Sequence, residues 1–298
     1  MKLISVKIIL GLSGLLLMAA CTNELVDSAA DGARAISFTS AAETRAAVEG
    51  NALPADFKVW GGYDGNAVNV FNGETVQYPN WTYTGGTQYW IPGKTYNFYG
   101  MYPASVNASC ATDGTLTVSD FDCSKTGADA VDLMTASQTG ISYAAGVTPQ
   151  PVSMQFGHEL ARVNVVATVE GGDATVTNIT FAGMATKGDY SSSTGRWSPT
   201  TPGSFTNSTA QILNTEGVDL LGDMLLIPQD VSGFTVTVDY TMDGEVQPQK
   251  VITLPTTISQ WDKGKSYKYT LAFKGNNIIF TVNVASWNHS TGGIITVE

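Results

Sequence analysis

The sequence predicts an all-β protein, two tandem β-sandwich domains with Greek-key-like strands, and three observations carry that prediction. Apolar residues recur with a period of two: residues 162–169 read Arg-Val-Asn-Val-Val-Ala-Thr-Val, 234–240 read Phe-Thr-Val-Thr-Val-Asp-Tyr, and 278–284 read Ile-Ile-Phe-Thr-Val-Asn-Val. Such alternation puts one face of a strand in a core and the other in solvent. Gly-Gly, Asp-Gly, Asn-Gly and Pro-containing turns separate these runs. Finally, 14% charged residues and 31 Gly in 298 residues argue against a coiled coil or a long helical bundle. Only residues 46–56 and 128–137 tempt a helical reading, and neither sustains an apolar face.

Residues 1–20 begin with Lys2 and Lys7, continue through an apolar stretch from Ile8 to Leu17, and end on small residues before Cys21. A basic start, a short apolar core and small residues before a cut make a secretory signal. The stretch is too short for a stable transmembrane helix. Met18-Ala19-Ala20-Cys21 resembles the lipobox of bacterial lipoproteins, with Met18 where leucine is usual. The resemblance implies that Cys21 is acylated and becomes the mature N-terminus, which would tether 298 − 20 = 278 residues to a membrane outside the cytoplasm. Residues 21–45 then form a lipidated N-terminal segment that carries a first short strand.

The rest divides into an N-terminal β-sandwich domain, 46–150, and a C-terminal one, 151–298. The division is drawn at Gly146-Val147-Thr148-Pro149-Gln150-Pro151, where two prolines in three residues suit neither helix nor central strand. Each half is long enough for its own core. Cys110 and Cys123 flank the Asp113-Gly114 turn signal between β-prone runs. Outside the cytoplasm they could pair, closing a loop worth roughly 3 kcal/mol in the chain-entropy model. Two separately buried thiols are the alternative.

The search for chemistry returns little. The formal balance of 15 basic against 26 acidic residues is −11, which leaves no basic stripe for nucleic acid and no electrostatic attachment to anionic lipid. Neither His158 nor His289 has a nearby nucleophile, and no Gly-x-Ser-x-Gly occurs. Gly264-Lys265-Ser266 and Gly93-Lys94-Thr95 lack the first glycine of a phosphate loop and read as hairpin turns. Asp64-Gly65-Asn66 and Asp120-Phe121-Asp122 complete no EF-hand pattern. No metal or other cofactor is expected. A carboxylate pair of the glycosidase kind cannot be judged by counting, since its members meet only in the fold. Aromatics crowd one half of the chain, among them Trp81, Tyr83, Tyr89 and Trp90. Exposed, these four would make a stacking platform for sugar rings, and a surface glycan-binding lipoprotein would follow; buried, they are core.

A set of segments resembles the fimbrillin family of Bacteroidales pilus subunits. It comprises Ile36-Ser37-Phe38-Thr39 with Thr44-Arg45-Ala46; Tyr89-Trp90-Ile91-Pro92-Gly93-Lys94-Thr95-Tyr96-Asn97-Phe98 leading to Met101-Tyr102-Pro103; and Val131-Asp132-Leu133-Met134-Thr135-Ala136. It continues with Met154-Gln155-Phe156-Gly157-His158-Glu159-Leu160-Ala161-Arg162-Val163; Leu225-Leu226-Ile227-Pro228-Gln229; and Trp261-Asp262-Lys263-Gly264-Lys265-Ser266-Tyr267-Lys268-Tyr269. Their order, behind a lipobox and over nearly the whole mature chain, makes the resemblance specific.

The resemblance implies a structural and adhesive protein rather than an enzyme. It implies two tandem β-sandwich domains, a precursor held at the outer membrane by its lipid, an arginine-specific protease as processing partner, and other pilus subunits as assembly partners by strand exchange. Carried onto this sequence, Ile36 and Phe38 point inward from a removable first strand. Cleavage after Arg45, before Ala46, removes strand and lipid together. Arg34 also offers a site, but cutting there leaves the first strand attached and opens no groove. Within a candidate donor strand at 293–298, Ile295 and Val297, two residues apart, would fill a neighbour's groove, with Gly292-Gly293 as a swivel. The alternative for this terminus is that it completes the chain's own sheet. Asp27-Ser28-Ala29 matches the Asp-Ser/Thr-apolar O-glycosylation pattern of this bacterial group.

Overall fold

The computed structural model of the protein describes residues 34–42, 55–275, 277–287 and 295–297. In chain order its strands are β1 (Phe38–Ala42), β2 (Phe57–Tyr63), β3 (Phe71–Gln77), β4 (Thr82–Tyr83), β5 (Thr95–Tyr102), β6 (Ala108–Cys110) and β7 (Leu116–Asp122). Then come β8 (Met134–Ser142), β9 (Val152–His158), β10 (Ala161–Val169), β11 (Ala174–Ser191), β12 (Arg196–Asn207), β13 (Gln211–Ile212) and β14 (Val218–Asp219). The chain finishes with β15 (Met224–Leu226), β16 (Thr235–Met242), β17 (Glu245–Val246), β18 (Lys250–Thr253), β19 (Lys265–Lys274), β20 (Asn277–Ser286) and β21 (Ile295–Val297). A single 3₁₀ turn, Gly127–Asp129, is the only helical element among the described residues. The all-β expectation therefore holds, and the stretch 128–137 that tempted a helical reading supplies that turn and the start of β8.

The first sheet has seven strands in the order β1-β9-β8-β5-β2-β3-β4. It curls until its ends nearly meet. The backbone just before β1 bonds to the segment after β4, from Ile36 N–H to Gln88 O at 2.8 Å and from Trp90 N–H to Arg34 O at 3.0 Å. Its interior is filled by Phe57, Val59, Phe71, Tyr96, Phe98, Met154 and Phe156, each at every second position of its strand. One sheet wrapped on itself, rather than two stacked sheets, thus encloses the N-terminal core; an N-terminal sandwich does not form. Wrapping is possible because inward positions are large aromatics, while Gly61, Gly62 and Gly100 let strands approach closely. A Cβ on Gly61 would lie 2.4 Å from the Phe98 ring.

Two further sheets face each other. The six-stranded one runs β14-β10-β19-β20-β21 with β15 also on β10, and the eight-stranded one runs β17-β16-β11-β7-β6 with β12, β13 and β18 attached. Val163, Val165, Tyr269, Leu271 and Phe273 of the first share one core with Val176, Ile179, Phe181, Val236 and Tyr240 of the second. Rings meet across the gap, Phe181 against Tyr269 at 6.2 Å and Tyr240 against Phe273 at 5.0 Å between centroids.

The expected boundary at 150/151 falls between β8 and β9, which are antiparallel partners within the first sheet (Met134↔His158, Thr135↔Gly157). Gly146 to Pro151 is thus a loop inside that sheet. Its prolines stop a strand without ending a sheet, because a turn needs the same residues as a linker. In the opposite direction, β6 and β7 leave the N-terminal half to join β11 (Lys187↔Asp122, Ser191↔Thr117).

Candidate functional site: the terminal strands

β1 is parallel to β9 along its whole length, from Phe38↔Val152 to Ala42↔Phe156. Ile36, Phe38 and Ser40 turn inward with exposures of 1%, 4% and 8%, and Ser37 and Thr39 face out, as the spacing required. Phe38 is the hub of the first core. Its ring meets Phe71 at 5.3 Å, Phe98 at 5.6 Å, Tyr83 at 5.9 Å and Phe57 at 6.5 Å, all edge-to-face. Edge-on contacts of this kind add about 0.5–1.5 kcal/mol each beyond the area they bury.

Tyr83 fastens the entry to the strand. Its hydroxyl donates to Ile36 O at 3.1 Å and accepts from Gln88 N–H at 2.8 Å. Burial pushes the phenol's pKa upward, the Gln88 hydrogen bond opposing part of that, so the hydroxyl keeps its proton and remains a donor. Trp90, 3% exposed, packs edge-on to Tyr96 at 4.8 Å and to Phe98 at 5.7 Å. Trp81 is half-buried against Phe57 and Tyr78. Only Tyr89, 42% exposed, presents much ring to solvent. Trp81, Tyr83, Tyr89 and Trp90 therefore do not form a stacking platform: spacing alone identified the rings but not that the wrapped sheet would draw two of them into its wall.

Arg34 lies partly buried at the turn leading into β1. Cys21, Arg45, Ala46, the Asp27 motif, the Gly292-Gly293 swivel and His289 lie outside the described residues. β21 pairs antiparallel with β20 of its own chain, Val284↔Ile295 to Val282↔Val297. Ile295 and Val297 thus complete the six-stranded sheet here, the alternative to a free donor.

Cys110 and Cys123 are unpaired. Cys110 sits opposite Leu116 in the β6–β7 hairpin, whereas Cys123 follows the far end of β7 and is buried in the second core. Leu116 and Cys123 are seven residue steps apart along extended chain, about 23 Å at 3.3 Å per residue, far beyond disulfide reach. Burial pushes the Cys110 thiol up to about 11 and that of Cys123 higher still.

Among the buried ionisable groups that sequence reasoning missed is Asp132. Asp132, just before β8, reaches His158 Nδ1 at 2.8 Å at the end of β9, and the imidazole stacks on Trp287 at 3.8 Å, 9° from coplanar. Burial raises the Asp132 pKa, against the lowering effect of His158. The pair ties the first sheet to the end of β20. A His-Glu pair between Phe156 and Leu160 was the available signal, since charged residues amid an apolar run are buried with partners.

With the geometry in place, the comparisons with known proteins can be set beside it. A fimbrillin-like family model matches residues 39–287. The chain belongs to the fimbrillin-like family. No curated protein matches it. Among solved structures, a candidate cell adhesion protein from Bacteroides uniformis is 18% identical with a TM-score of 0.58, covering 85% of this chain and 99% of that one. A fimbrial protein from Bacteroides vulgatus is 16% identical with a TM-score of 0.55, again over 85% and 99%. A further candidate cell adhesion protein, from Parabacteroides distasonis, is 11% identical with a TM-score of 0.53 over 88% and 99%. At such identities the likeness concerns the fold, and the fimbrillin-like chain shares it over nearly the full length of all three.

Proposed function

We propose that this fimbrillin-like protein is a pilus subunit of the cell surface, exported as an outer-membrane lipoprotein on Cys21, matured by an arginine-specific protease after Arg45, and assembled by strand exchange into a fimbrium. In this reading the two-domain chain is a structural and adhesive component that binds other subunits and performs no catalysis. The observation that supports it most is the position of β1. It is a terminal strand whose Ile36 and Phe38 fill the middle of a core enclosed by one sheet. Removal would leave β9 with an open edge and Phe57, Phe71, Tyr83 and Phe98 around an apolar trough. An incoming strand with apolar residues two apart would restore both the hydrogen bonds and the packing. In the donor, β21 would leave its place on β20 and enter a neighbour's groove.

The full chain treated with an arginine-specific protease should yield a product beginning at Ala46 and ladders on gels run without boiling. An Arg45→Ala chain that matures and assembles like wild type would overturn the mechanism.

A further inference from the structure

Between the outer face of the first sheet and the eight-stranded sheet lies a cleft of about 640 Å³, well within the range of about 300–1,000 Å³ typical of small-molecule sites. Neither the four rings named earlier nor either terminal strand lines it. Its floor is Glu159, in the connection between β9 and β10, with a side chain only 6% exposed. The carboxylate accepts from the Thr135 hydroxyl at 2.7 Å and from the Lys263 ammonium at 2.9 Å. Trp197 Nε1–H donates to the Glu159 carbonyl at 2.8 Å, which holds the residue in place. Tyr190, 3% exposed, lines the cleft beside them.

One wall is Tyr99 of β5, half-buried, with Ser137 of β8 as its exposed register partner. The opposing rim is the Asp113-Gly114 turn, where Gly114 has φ +90° and a Cβ would lie 2.2 Å from the Tyr99 ring. Only glycine lets that turn close on the tyrosine, so the ring is held in position before any ligand arrives.

We infer that this cleft binds a neutral polyhydroxylated ligand, a short segment of oligosaccharide. The lining is made chiefly of hydroxyls and a carboxamide, Gln155, groups that both donate and accept as sugar hydroxyls do. The Tyr99 ring supplies an apolar surface for the C–H groups of a pyranose. The charges are Glu159 and Asp113 against Lys263, so nothing in the cleft favours an anion such as a phosphate or sulfate. A peptide would call for an open strand edge or apolar side-chain pockets. The walls here are largely strand faces, and their apolar surface is limited to Tyr99, Tyr190, Leu116 and Ala136.

The test is saturation-transfer NMR on the full chain with maltotriose, cellotriose, lactose and N,N′-diacetylchitobiose, each offered separately. At least one should receive saturation from the wild type. Ser137→Trp, at an exposed position where a large ring fills the cleft, should abolish the signal while the melting temperature stays put. Tyr99→Ala should weaken binding about tenfold, the value of one ring contact. Glu159→Gln, which keeps the shape of the floor, should weaken it as well. No transfer to any of the four sugars, or transfer that survives Ser137→Trp, would overturn the assignment. Because the readout involves neither proteolysis nor polymer, its outcome is independent of the strand-exchange mechanism.

Discussion

The two cores of the molecule are enclosed in different ways. The first is surrounded by one curled sheet, and a terminal strand, β1, supplies the residue at its centre. The second lies between two facing sheets, and its central residues come from long internal strands, β10, β11, β16 and β19, while the terminal strand β21 sits at an edge. When a single sheet must close on itself, the strand that closes it carries packing that no neighbour duplicates. Two facing sheets spread the load. The same feature, an edge strand at a chain end, is therefore a keystone in one region and an addition in the other.

The sharpest way to break this contrast is Phe38→Ala, which should cost about 3–5 kcal/mol, as for other buried Phe truncations. Hydrogen exchange should rise sharply in β2, β5 and β9 and remain slow in β10 and β19. Equal loosening of both regions would show the cores to be one cooperative unit. Deleting residues 295–298 should cost less, about 1–3 kcal/mol at about 1 kcal/mol per backbone hydrogen bond lost. Its effect on exchange should be confined to β20.

A smaller effect concerns the Asp132–His158 link between the regions. Since burial raises the Asp132 pKa in the folded protein, its contribution is complete below the ordinary carboxylate range and is lost as pH rises through the raised value. Denaturant titrations should therefore give a flatter pH profile above the ordinary carboxylate range for Asp132→Asn than for wild type. The smallest expected effect is none at all. Reductant should leave the melting temperature unchanged, with Cys123 reacting with a thiol reagent only after unfolding. A drop in melting temperature would revive a disulfide.

Particular residues show how far the chain could be read in advance. The alternation in 162–169 and 234–240 predicted strands that appear as β10 and β16, whereas Gly264-Lys265-Ser266, read as a hairpin turn, leads into β19, whose partners are β10 and β20 and not the preceding β18. Ile36 and Phe38 were legible as an inward pair because a period of two assigns faces without knowing partners. The junction cleft was not, because Tyr99, Glu159, Tyr190 and Lys263 are brought together from four separate parts of the chain. Nor was the fate of Trp90 and Tyr83, because a ring in a strand is equally compatible with a platform and a core.

By itself, then, the amino-acid sequence determined the all-β class, the alternating faces of β1, β10 and β16 and the fimbrillin-like membership, all properties carried by local period and by ordered segments. Only the tertiary structure decided that β9 pairs with β1, that β7 crosses to β11, that the cysteines stay apart, and that one core is wrapped while the other is sandwiched. Partners and register depend on contacts between residues far apart in the chain, and a period of two is satisfied by any neighbour that buries the same face.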